Sequence, residues 1–250
     1  MSYLMYQLKK QKMKRVNIIL LISLLLAISS ISCAQSRYAK DQFDVDSFTA
    51  IKSSAVVNIK IRQSSQTEVT AEGNADMLDL LKVRNENNTL ILEMEKKRFK
   101  IFNTKADKLT IYINTPTLTH IDVEGVGNIE FEGNFDTPRL TVKSEGTGNL
   151  RANNLSTNYL EIDSEGVGNI RLAGRADEID IKSEGVGNIN LKDMHSKVAT
   201  VDSEGIGNIS CHSTEYLRAK SEGIGNITYY GNPKETIINK EGIGNIKAGR

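Results

Sequence analysis

Glu165-Gly166-Val167-Gly168-Asn169-Ile170 decides the architecture of this chain, because the same six-residue pattern returns seven times. Its Glu stands at Glu124, Glu145, Glu165, Glu184, Glu204, Glu222 and Glu241, at spacings of 21, 20, 19, 20, 18 and 19 residues. A helical reading fails at once, since two glycines per copy would each cost about 1 kcal/mol in a helix. On either side of the hexapeptide apolar residues alternate with polar ones, as in Leu160-Glu161-Ile162-Asp163-Ser164 and Ile179-Asp180-Ile181-Lys182-Ser183. Each repeat therefore reads as strand, glycine-containing bend, strand and turn. One such unit cannot bury its own apolar side, whereas stacked units can. A propeller blade needs about 40 residues. The pattern predicts an all-β chain: a parallel β-helix, or β-solenoid, of about seven regular coils of 18–21 residues.

Stacking turns equivalent letters into vertical columns about 4.8 Å apart. Two residues before each Glu stand Asp122, Lys143, Asp163, Lys182, Asp202, Lys220 and then Asn239. The sign alternates along the first six, so each charge meets an opposite one above and below. An exposed pair contributes only about 0–1 kcal/mol, but a ladder of them also penalises a slipped register. Three before each Glu stand Ile121, Val142, Ile162, Ile181, Val201, Ala219 and Ile238, and five after it Ile129, Leu150, Ile170, Ile189, Ile209, Ile227 and Ile246. These two aliphatic columns are the expected core.

Three further columns are candidates for binding. Seven stacked motif Glu carboxylates would repel one another, so solvent, neighbouring Lys, raised pKa values or a divalent cation such as Ca²⁺ must offset that. Asn128, Asn149, Asn169, Asn188, Asn208, Asn226 and Asn245 suit an amide ladder, and Asn also tolerates a left-handed bend. Between the glycines lie Val126, Thr147, Val167, Val186, Ile206, Ile224 and Ile243. Two placements are open for this column. It folds inward as core, or it faces outward beside the Glu and Asn columns as an apolar partner-binding stripe. Periodicity does not carry a side chain's direction across a bend.

The stretch ahead of the repeats is rich in strands but lacks the motif. Val57, Ile59 and Ile61 alternate, as do Leu90, Leu92 and Met94, and Leu109, Ile111 and Ile113. Asn74 is a candidate N-cap for a short helix reaching Leu81. Lys96-Lys97-Arg98 and Lys100 read as a solvated edge. Further upstream, Lys9, Lys10, Lys12, Lys14 and Arg15 precede an uncharged run from Val16 to Ile28, too short for the roughly 20 residues of a membrane span. This is a signal-peptide pattern. Met13-Lys14-Arg15 makes a compact start of its own. Ser32-Cys33-Ala34 fits cleavage after Ala34, while Ser30-Ile31-Ser32-Cys33 resembles a lipobox with Cys33 lipidated. The chain thus divides into an export segment (1–34), irregular opening coils or a cap (35–120) and the regular repeats (121–250).

Composition narrows the function. The formal charge is +1, but five Lys/Arg and no acids fall in residues 1–34, leaving the remainder, at +1 less five, at −4. Nucleic-acid binding is disfavoured. With Cys33 lipidated or removed, Cys211 is left alone, without an internal disulfide, and reads as a small buried hydrophobe. His120, His195 and His212 share no motif phase. Ser164 and Ser183 recur as packing residues, and the acids are spread evenly rather than gathered into one acid–base set. No catalytic residue and no cofactor is assigned.

The tandem Gly-x-Gly-Asn-Ile motif, the export segment and the Phe48-to-Ile61 strands resemble the auto-transporter adhesin head GIN domain family over roughly residues 40–250. That resemblance implies a right-handed parallel β-helix in an exported protein of a Bacteroidetes-type, Gram-negative bacterium, in the periplasm, at the outer membrane or on the surface. It also implies adhesion, for which a protein or glycan is the expected partner, while a membrane would be reached only through the lipid anchor that the Cys33 lipobox pattern suggests. The alternatives kept open are a carbohydrate-active β-helix enzyme and a divalent-cation-stabilised stack. An exposed last coil predicts either a cap from the N-terminal region or association between copies.

Overall fold

A computed structural model describes residues 37–95 and 109–250. The export segment with Cys33, and the basic stretch Lys96–Lys100, lie outside the described residues. Among them the chain forms β1 (Tyr38–Phe43), β2 (Ala50–Ser53), β3 (Asn58–Gln63), β4 (Glu68–Asn74), helix α1 (Ala75–Leu78), β5 (Leu81–Glu86), β6 (Thr89–Met94), β7 (Leu109–Thr115) and β8 (His120–Val123). The regular part follows with β9 (Ile129–Ser144), β10 (Leu150–Ser164), β11 (Ile170–Arg175), β12 (Glu178–Ser183), β13 (Ile189–Asn190), β14 (Met194–His195) and β15 (Val198–Ser203). It ends with β16 (Ile209–His212), β17 (Tyr216–Ser221), β18 (Ile227–Tyr230), β19 (Glu235–Lys240) and β20 (Ile246–Ala248).

The strands stack as two parallel ladders that meet at the motif corner. One runs β6–β2–β8 and then through the C-terminal parts of β9 and β10 to β12, β15, β17 and β19. The other runs from β7 and β3 through the N-terminal parts of β9 and β10 to β11, β13, β16, β18 and β20. This is the expected β-solenoid. Its seven corners bound about six turns.

Register follows the letters of the repeat. Ile162 pairs with Val142 on one side and Ile181 on the other, and Asp163 lies between Lys143 and Lys182. Ile121, Val142, Ile162, Ile181, Val201 and Ala219 are wholly buried. Ile129, Leu150, Ile170, Ile189, Ile209 and Ile227 are buried as well. The last coil differs. Ile238 is 45% exposed and Ile246 only half-buried, because among the described residues β19 and β20 have a neighbour on one side only. A third inward column carries Phe131, Ala152 and Leu172 in register, and Cys211 fills the equivalent core position opposite Tyr229. Burial alone pushes its thiol up to about 12, as expected of an inert apolar filler.

The glycines of the motif are explained by what lies beneath them. A Cβ on Gly146 would sit 2.1 Å from the carbonyl oxygen of Gly125, and one on Gly187 would sit 1.6 Å from that of Gly168. Gly187 also has φ +153°, a conformation that L-residues rarely adopt. Backbone thus approaches backbone at every corner. An eighth, disguised copy follows from the same geometry. Ser54-Ala55-Val56-Val57-Asn58-Ile59 underlies the first motif: Val56 bridges Val126, and Ala55 and Val57 supply the carbonyls that Gly125 and Gly127 approach. No motif corner lies beneath Ala55 and Val57 among the described residues, so these two positions carry side chains.

The N-terminal end is closed by strands of opposite sense. β5 runs antiparallel on β6, β4 antiparallel on β7, and β1 antiparallel on β4. Helix α1 sits at this end, with the Asn74 side chain accepting from the Met77 N–H at 3.1 Å. It is shorter than the sequence predicts, ending at Leu78. At the other end every residue of β19 is exposed.

Candidate functional site

The motif corner presents three parallel columns to solvent. In the middle one, consecutive members form parallel bridges from Val56 through Val126, Thr147, Val167, Val186, Ile206 and Ile224 to Ile243. All are exposed, with Val167 at 53% and Ile206 at 52%. The column left open by periodicity therefore faces outward. The reason is local: the flanking glycines take the buried side of the bend, against the backbone of the coil below.

The Asn column is a continuous ladder. Asn169 donates from its backbone N–H at 3.2 Å and from its Nδ2 at 3.0 Å to the same Oδ1 of Asn149. Asn188 repeats this on Asn169 at 3.1 and 3.0 Å, and Asn208 on Asn188 at 3.0 and 3.2 Å. The ladder starts at Asn58 and reaches Asn245. The motif Asn residues do not take the left-handed bend, which falls to glycine; the positive-φ asparagines are Asn87, Asn88 and Asn232.

The Glu column is relieved by lysine in every second coil. Lys143, Lys182 and Lys220 reach Glu145, Glu184 and Glu222 of their own coils at 2.6, 2.5 and 2.7 Å. Each hydrogen bond raises the ammonium's pKa, and the bond from Lys143 holds Glu145 below the ordinary carboxylate range. Lys52, in the disguised copy, extends the alternation by one coil and bonds both Asp122 and Glu124, at 3.1 and 2.6 Å. The Asp/Lys row is thus in register, but from Lys143 onward the close ion pairs run along the strand to Glu rather than across to Asp. Asp122, Asp163 and Asp202 each keep a buried Oδ1 without a hydrogen-bond partner. Among the described residues no three His, Cys, Asp or Glu side chains converge to hold a metal ion. The Glu column is a row of exposed carboxylates, of which Glu124, Glu145, Glu184 and Glu222 are paired with lysine.

Two further clusters lie outside the hexapeptide. Glu161 and Asp180 face each other across one rung. Burial, then the charge of Glu161, raises the Asp180 pKa, while Arg139 bonds Glu161 at 2.7 Å and lies over the Tyr159 ring. The second is a histidine pair that the sequence reading kept apart. His195 Nδ1 lies 3.2 Å from His212 Nε2, and the rings meet edge to face. Arg175 is the register partner of His195 and Tyr230 that of His212. Burial first, and His195 second, hold His212 below its ordinary value, so folding favours the neutral ring. The unfolded chain protonates near pH 6.5. Stability is therefore expected to fall as pH drops through about 6.5 and to level off below the folded-state pKa. Thermal melts between pH 7.5 and 5.5 check this, and His212→Gln is expected to flatten the slope.

On the far side of the Asn column a groove of 620 Å³ runs across four coils, between the ladder and the outward residues Glu130, Arg151, Arg171 and Asn190.

Known proteins resemble this chain in fold. A crystal structure of "a putative adhesin" from Bacteroides fragilis is 32% identical, with a TM-score of 0.82, covering 86% of this chain and 98% of that one. Two from Parabacteroides distasonis share the fold at 19% identity over the same proportions: a "putative adhesin" (TM-score 0.64) and a "putative lipid binding protein" (TM-score 0.66). No curated protein gives a match. The family model described as putative auto-transporter adhesin, head GIN domain, matches residues 47–233, and the chain belongs to that family.

Proposed function

We propose that this protein is an exported, non-catalytic, adhesin-like module that binds a protein or glycan through its corner face. One observation carries the reading: a row of exposed side chains, Val or Ile in every coil except for Thr147, held rung over rung between an amide ladder and an acidic column. Apolar side chains scattered over a surface are ordinary, whereas a contiguous stripe marks a contact surface. Rigid stacking lowers the ordering cost of binding. The family match and the Bacteroides fragilis neighbour support the adhesin-like part. The signal-peptide pattern of residues 1–34 supports export.

The test is a triple variant, Val186→Ser, Ile206→Ser and Ile224→Ser, screened with the parent chain on immobilised glycans and extracellular-matrix proteins. Each side chain is about half exposed, at 48, 52 and 50%. The substitutions are expected to change stability by roughly 0.5 kcal/mol or less each and to cut binding at least tenfold. Unchanged binding by a folded variant would contradict the proposal.

A further inference from the structure

The Asn ladder uses its acceptors and its donors unequally. A carboxamide offers an oxygen with two lone pairs and a nitrogen with two N–H groups. In each of Asn128, Asn149, Asn169 and Asn188 the Oδ1 accepts two bonds from the next coil, from backbone N–H and from Nδ2. Its acceptor capacity is spent. The Nδ2 donates one N–H to the coil below, which leaves one N–H per coil uncommitted on an exposed side chain. The ladder is therefore a column of donors with no free acceptor.

Across the groove, Arg151 and Arg171 are direct register partners, and both are exposed. Like charges placed opposite one another destabilise a strand pair. Here the relief within the chain is small. Arg171 approaches Asp193 at only 4.0 Å, and among the described residues no ion pair joins Arg151. The Arg151 side neighbours Glu130 in the next coil, which bounds the cationic stretch at that end. Guanidinium forks match carboxylate and sulfate oxyanions. One wall of the groove thus supplies neutral N–H donors at coil spacing and the other supplies two adjacent, exposed guanidinium groups that are only weakly paired.

We propose that this groove binds an acidic glycan, lying along the stack with its oxyanions on Arg151 and Arg171 and its hydroxyl and ring oxygens on the Asn ladder. An extended sugar chain advances per residue by a step comparable to one coil, so successive sugars meet equivalent amides. The proposal deepens the adhesin-like reading and rests on it, but it uses a different face of the corner from the Val/Ile stripe.

The experiment is calorimetric titration of the chain with oligogalacturonate, its methyl ester and a sulfated heparin-type oligosaccharide. A charged glycan, carboxylated or sulfated, is expected to bind, and the uncharged methyl ester at least tenfold more weakly. Arg151→Gln with Arg171→Gln is expected to lose at least tenfold in affinity, while the melting temperature stays level or rises because a like-charge pair is removed. A charged glycan that binds no better than the ester, a double variant that binds as the parent does, or a single-stranded DNA oligonucleotide that binds equally well would overturn the proposal. If the stripe variants lose binding to another ligand while these results are negative, the acidic-glycan inference fails and the adhesin-like reading stands.

Discussion

Replacing Gly187 by Ala is expected to cost about 3–5 kcal/mol, at the diagnostic end of single-site effects. Two causes add. The new Cβ would lie 1.6 Å from the Gly168 carbonyl oxygen and 2.7 Å from its carbon, so the coils must separate. The backbone also sits at φ +153°, where a side chain is strained. Separation is expensive because the same segment carries the Gly187 N–H to the Ile206 carbonyl at 2.9 Å and the neighbouring rung of the Asn ladder. For a unit of this size about 4 kcal/mol corresponds to a fall of roughly 10 °C in melting temperature. The comparison variant is Gly133→Ala. Gly133 has φ +79° but nothing within 4 Å of the added Cβ, so only the backbone cost of about 1–2 kcal/mol applies. Equal losses in melting temperature for the two would mean that close coil approach does not explain the motif glycines.

The second large effect is expected at Ile162. Its side chain is wholly buried between Val142 and Ile181 in the central column. Truncation to Ala removes packed methyl groups in mid-stack, where coils on both sides hinder collapse of the cavity. The expected cost is about 2–5 kcal/mol. The matching change Ile238→Ala belongs to the same column but to the last coil, where the side chain is 45% exposed. There it is expected to cost less than about 1 kcal/mol. Denaturant titration of both variants checks the gradient from centre to end. A similar cost at both positions would contradict a core built by stacking.

Much of this structure is legible because the repeat converts sequence phase into spatial position. Asp122, Lys143 and Asp163 are adjacent in space for no reason other than their shared place before the motif Glu. Legibility ends where phase ends. The copy at Ser54–Ile59 is hidden because Ala55 and Val57 replace the two glycines that later coils need. His195 and His212 meet at the ends of β14 and β16, at different offsets from their motif Glu, where coil lengths of 18–20 residues break the count. The direction of Val126 and its equivalents depends on the bend's backbone, which hydrophobic alternation does not describe. The choice of Lys143 for Glu145 rather than for Asp163 is a matter of side-chain reach, set by geometry and invisible in the order of charges.

The most direct test of stacked, in-register coils is a spin-label ruler along the exposed column. One label replaces Val126 and a second replaces Ile206, Ile224 or Ile243 in turn, with each pair distance read by pulsed dipolar spectroscopy. At about 4.8 Å per coil the separations are expected near 19, 24 and 29 Å, a constant increment at each step. Separations that fail to grow by one equal step per repeat would contradict the architecture.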